Sequence, residues 1–227
     1  MAAQVKSKQR VADHGEVFTN EREVNAMLDM VKDETERIDS RFLEPACGDG
    51  NFLAEILRRK LAVVKSRYGK RVSDYEKYAF IAVSSIYGVE LLQDNTQACR
   101  ERLFGILKDD YMPVCKKKPD ERFLDSIGFV FERNILCGDA LTLLQDDGEP
   151  IIFSEWSMVM GDKVKRRDFR LDEMLEGNVE KGETMSLFGA SGSLTAEWEF
   201  DEETQSMIPC PICEYPLTSF YEVSRNV

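Results

Sequence analysis

Three short stretches gather side chains suited to holding a small polar ligand. In "EPACGDGNF", Glu44 to Phe52, two glycines stand between an apolar run and a helical one. Gly48 and Gly50 let backbone approach a ligand with no Cβ in the way, and the N–H groups of a helix opening near Asn51 are free to donate. Glu90 closes "IYGVE". A carboxylate at the end of a strand can accept both hydroxyls of a ribose. Asp139 in "LCGDAL" follows a third apolar run, where its carboxylate can take the amino group of an adenine. Each feature taken singly also fits a plain βα turn or a solvated strand end. Together they fall at the carboxyl ends of expected strands, the edge where open parallel sheets bind ligands.

The elements that must position them follow from apolar spacing and caps. "TNEREVNAMLDMVKDETERI" reads as a helix capped by Thr19 or Asn20, with Val24, Met27, Leu28 and Val31 on one face. "RFLEP" reads as a short buried strand stopped by Pro45. "NFLAEILRRKLAVVKSRYG" is a helix with Phe52, Leu53, Ile56, Leu57 and Leu61 along one side and Gly69 past its end. "SDYEKYAFIAVSSI", capped by Ser73, and "DNTQACRERLFGIL" read as further helices around the strand "IYGVELL". "KDDYMPVCKKKPDERF" reads as a turn-rich patch, and "FVFERNILCGDAL" contains the third strand. Strand alternating with helix predicts an α/β fold with a mostly parallel, Rossmann-like sheet flanked by helices.

The chain divides by character into an N-terminal arm (1–18), a core (19–150), a β-hairpin around "MGDK" (151–170), an acidic flexible segment (171–206) and a C-x-x-C tail (207–227), the last two forming an irregular C-terminal extension. Net charge is −12, so the whole surface does not advertise a polyanion partner. From Leu171 to Met207 the only base is Lys181, while bases gather in "ILRRKLAVVKSRYGKR", "CKKKP" and "KVKRRDFR". No apolar run reaches the roughly 18 residues of a membrane span, and the N-terminus lacks a signal-peptide core. A cytoplasmic, non-membrane protein is the expectation, and scattered cysteines agree with it. Only Cys210 and Cys213 are closely spaced. They suit half of a tetrahedral zinc site, shared or intermolecular for want of ligands, or a reducible pair, or two buried thiols. Cys47 reads as a small apolar filler under the loop, and His14 as an ordinary polar residue before Gly15.

With these residues in place, "EPACGDGNF" resembles motif I of the S-adenosylmethionine-dependent adenine-N6 DNA methyltransferases of restriction–modification systems, in particular their methylation subunits. "HGEVFTN" resembles the segment before motif I in that family, "IYGVELLQDN" motif II and "NILCGDAL" motif III, in order over residues 13 to about 144. The resemblance implies a Rossmann-like methyltransferase fold over 19–150 with S-adenosylmethionine as cofactor. It implies that Phe18 and Thr19 close over the methionine end, and that Glu44, Pro45, Ala46, Gly48, Gly50, Asn51 and Phe52 form its cradle. Glu90 would hold the ribose, and Asp139 with Ala140 the adenine.

Two departures stand out. Asn20 replaces a proline usual in the family, and the Asp/Asn-Pro-Pro-Tyr/Phe motif expected after motif III is absent, since no two of the seven prolines are adjacent. That motif accepts the hydrogens of the exocyclic amine and stacks on the flipped base. No catalytic residue is therefore assigned. The expectation is the cofactor-binding front half of an enzyme that reaches DNA through a partner or recognition subunit, hence a hetero-oligomer. A non-catalytic or regulatory cofactor-binding subunit is the alternative. A methyltransferase acting on RNA or a small molecule is a third.

Overall fold

A computed structural model describes residues 7–14, 16–116, 118–176, 198–201 and 206–225. The arm carries a helix, α1 (Lys8–His14), which precedes α2 (Glu21–Asp29) and a single turn, α3 (Lys32–Thr35). Asn20 caps α2, its side chain accepting from the Glu23 N–H. The long helix expected from Thr19 onward is thus broken at Met30–Val31.

The core alternates as expected. β1 (Phe42–Glu44) leads through α4 (Asn51–Tyr68) and α5 (Val72–Ser84) to β2 (Ile86–Glu90). α6 (Gln93–Cys115) and α7 (Glu121–Asn134) then return the chain to β3 (Ile135–Cys137). The strands form a parallel sheet in the order β1-β2-β3, aligning Glu44 with Gly88 and Glu90 with Cys137. Each crossover between neighbouring strands carries two helices. The molecule is α/β, a three-stranded parallel sheet flanked by helices and compatible with a Rossmann-like fold.

Alternation along the strands splits two cores. Ile86 and Ile135 join the main cluster with Leu53, Leu57, Leu103, Phe123 and Ile127 from the helices. Tyr87 and Val89 point the other way and meet Ile151, Phe153 and Leu171.

Two expectations are corrected here. The turn-rich patch is the end of α6, interrupted by Lys116 at φ 55, and then the start of α7. Its polar residues are only the outer face. Leu103, Leu107 and Tyr111 are fully buried at helical spacing, and Pro113, which has no N–H to donate, falls just before the helix ends at Cys115. The strand expected within "FVFERNILCGDAL" is β3, and the "FVFERN" before it closes α7. Asp120 caps α7, and Phe123, Ile127, Val130 and Phe131 are inward at helical intervals. α5 begins at Val72 rather than after Ser73, and no side chain caps it.

The hairpin forms as expected, β4 (Ile152–Met160) against β5 (Lys163–Arg170), turning at Gly161. α8 (Leu171–Glu176) follows. β6 (Trp198–Asp201) pairs antiparallel with β7 (Ser206–Pro209). The rest of the acidic segment lies outside the described residues. The tail is more regular than its composition suggests. β8 (Cys213–Glu214) and β9 (Thr218–Ser219) both add to β5. Phe220 is buried against Phe80 at 5.5 Å between ring centroids, and the Tyr221 hydroxyl donates to Glu76 Oε2 at 2.6 Å.

One cation is buried at the opposite edge of the sheet from the glycine loop. Lys60 has no exposed surface, and its ammonium donates to the carbonyls of Ile38 and Ser40 and to Ser85 Oγ. Burial pushes its pKa down to about 7, an effect these acceptors oppose.

Candidate functional site

β1 delivers the chain into the loop at Glu44, and α4 carries it out at Asn51. Between them the backbone folds tightly. The Cys47 N–H bonds Val89 O at 3.0 Å, tying the loop to β2, and the Gly50 N–H bonds Cys47 O at 2.8 Å. Gly48 has φ +55 and Gly50 φ +88, a region that side chains rarely adopt. Close contacts reinforce the requirement. A Cβ on Gly50 would lie 2.7 Å from Cys99 Sγ, and one on Gly48 would lie 3.1 Å from the Phe18 ring. Cys47 and Cys99 are both buried as free thiols beneath the loop. The adjoining Cys99 thiol and burial push the Cys47 pKa up, which disfavours the thiolate and agrees with a filler role.

Glu90 binds this loop directly. Its Oε2 accepts the Gly48 N–H at 2.9 Å, and its Oε1 accepts the Leu92 N–H and Asn95 Nδ2, each at 3.1 Å. A carboxylate offers about four lone-pair positions, so capacity remains for a ligand hydroxyl. The Gly138 N–H bonds Glu90 O at 3.0 Å, which sets Asp139 beside it. Asp139 Oδ1 accepts the Leu141 N–H at 2.8 Å, shaping the turn after β3. Ala140 packs into the second core cluster.

The arm crosses the same place. Phe18 faces Gly48, and Thr19 O accepts Asn51 Nδ2 at 2.9 Å. Asn51 Oδ1 in turn accepts Arg102 Nη1 at 2.7 Å. Phe52 packs on the main core. Pro45 and Ala46 are exposed, and Glu44 is half-buried with burial raising its carboxyl pKa. The structure brings Phe18, Thr19, Gly48, Asn51 and Glu90 into contact at the carboxyl end of the sheet, with Asp139 just past β3, whereas Phe52 and Ala140 turn into the two cores. Glu44, Glu90 and Asp139 lie at that end, with Glu16 paired to Arg10 and Asp49 to Arg102.

Cys210 and Cys213 lie elsewhere, with Cys213 paired to Asp168 on β5. Among the described residues no group of three or more His, Cys, Asp or Glu is placed to hold a metal ion. The side chain of His14 falls outside the described residues. A shallow groove between α4 and α6, lined by Arg58, Lys65 and Asp109, and another bordered by Glu76, Tyr111 and Arg122 contain neither glycine loop nor strand-end acid.

Sequence reasoning missed the residues that brace the loop: Arg10, Glu16, Asn95, Cys99 and Arg102. Only tertiary packing joins them to it. The one local signal is that Asn95 falls in the first turn of the helix following Glu90. No helix of the described structure is long and apolar enough to cross a membrane. No protein-family model, curated protein or solved structure matches the chain.

Proposed function

We propose that this chain binds S-adenosylmethionine as the cofactor-holding part of an adenine-N6 DNA methyltransferase of the restriction–modification type. The observation that carries the reading is the bond between Gly48 and Glu90. It unites the glycine loop with a strand-end carboxylate that keeps capacity for a ribose hydroxyl. The acids around the loop suit a ligand carrying a sulfonium and an ammonium charge. Phe18 closes one side, and Asp139 stands where an adenine amino group would be read.

When bound, the cofactor supplies an electrophilic methyl group for direct displacement by an amine. The chain's own part is to orient the donor, hold its ribose and shield it with the arm. A partner supplies the aromatic and amide-type residues that hold the target base, together with recognition of DNA. The absence of adjacent prolines favours that division, and it also sustains the second reading, a regulatory subunit that binds cofactor without transferring methyl groups. Methyl transfer to adenine-containing DNA by the purified chain alone would reject a need for a partner.

Calorimetry with S-adenosylmethionine tests the binding. The wild type is expected to bind. Glu90→Ala removes charge-assisted hydrogen bonds and weakens binding about 10- to 100-fold. A wild type that binds nothing refutes the proposal.

A further inference from the structure

Asn95 is 1% exposed, and its side-chain nitrogen lies between two carboxylates. It donates to Glu90 Oε1 at 3.1 Å and to Glu16 Oε1 at 2.6 Å. An amide nitrogen carries two hydrogens, enough to serve both. The opposite amide orientation would turn its oxygen onto two anions, so the assignment is chemically forced. Glu16 is thus a second acid, its side chain 7% exposed, held one amide away from Glu90. Two such charges repel unless a cation balances them.

Arg10 provides that cation. Its Nε donates to Glu16 Oε2 at 2.7 Å and its Nη2 to Glu16 Oε1 at 2.8 Å, a two-pronged contact. Its Nη1 reaches Asp94 Oδ2 at 2.7 Å, one residue before Asn95. The relay therefore runs from α1 through the strap 16–20 and the first turn of α6 to the end of β2. The same strap carries Phe18 over Gly48 and Thr19 onto Asn51.

We propose that Asn95, Glu16 and Arg10 are positioning residues which seat the arm and orient the Glu90 carboxylate in one step, so that ligands carrying an intact ribose diol are selected. Arm closure and ribose recognition are then coupled. Disturbing Arg10, which touches neither Glu90 nor the glycine loop, alters how Glu90 treats a ribose. This inference rests on the cofactor-binding reading above.

The test measures affinity for S-adenosylhomocysteine and for its 2′-deoxyribose analogue in wild type, Arg10→Gln, Arg10→Lys and Asn95→Leu. The wild type is expected to favour the ribose form about tenfold, one hydrogen bond's worth. Arg10→Gln and Asn95→Leu narrow that ratio towards one, and their affinity for the deoxy form changes less. Arg10→Lys keeps the charge and retains part of the discrimination. A general loss of fold would weaken both ligands alike and leave the ratio untouched. Arg10 sits on the partly exposed arm, so Arg10→Gln keeps the test available if Asn95→Leu fails to fold. Unchanged ratios in the variants overturn the relay and leave the cofactor reading standing. A wild type that binds neither ligand overturns the cofactor reading itself.

Discussion

Replacing Gly50 by alanine tests whether the loop has the geometry described. Two costs add. The first is backbone strain at φ +88, about 1–2 kcal/mol for a residue bearing a Cβ. The second is steric, because the new Cβ would stand 2.7 Å from Cys99 Sγ in a fully buried position. Overpacking of that kind costs about 1–3 kcal/mol. The sum is roughly 2–5 kcal/mol, a melting-temperature loss of roughly 4–20 °C for a chain of this size. Gly161→Ala separates the terms, since Gly161 has φ +63 and nothing within 4 Å of its Cβ position. It should lose only the backbone part. Cys99→Ala removes the obstructing sulfur, so the double variant should fall short of additivity by about 1–3 kcal/mol. Urea denaturation of the four variants and wild type measures all of this. A Gly50→Ala protein as stable as Gly161→Ala, and additive with Cys99→Ala, would refute the close contact between loop and α6.

Two further outcomes concern the framework. The Lys60 pKa of about 7 lies below the usual 10.5, so across that window the unfolded chain holds a proton that the folded chain sheds. Stability should therefore rise with pH above about 7, by no more than about 1.4 kcal/mol per unit. Urea melts from neutral pH to just below the range where phenols ionise should show that slope in wild type and a flatter one in Lys60→Met; a flat wild-type profile contradicts it. Phe220→Ala should cost about 3–5 kcal/mol, as for any large buried aromatic. A loss under about 1 kcal/mol, far below that range, would mean that the tail does not dock on α5 as described.

The parts of the fold that were legible in the sequence are those whose signals are local. Pro45, Gly48 and Gly50 punctuate the passage from β1 to α4, and Glu90 ends a short apolar strand before a polar helix. Asn20 precedes two acids and caps α2 as such residues do. The misread stretch from Lys108 to Phe123 shows the limit. Its charged residues form the solvent face of two helices, while Tyr111 and Phe123 are driven inward and pack on each other. The brace on Glu90 was illegible for a different reason. Arg10 and Asp94 are 84 positions apart, and nothing local marks two residues that only folding brings together. The tail likewise gains order from distant partners, the edge of β5 and the pocket that takes Phe220 beside Phe80.

The most direct test of the central claim is hydrogen exchange of the wild-type chain with and without saturating S-adenosylmethionine. The account predicts slowed exchange in the loop 46–52, in the strap 16–20 and at 90–92, with α7 and the hairpin unchanged. Exchange unaltered at the loop, or protection confined to another part of the molecule, would contradict it.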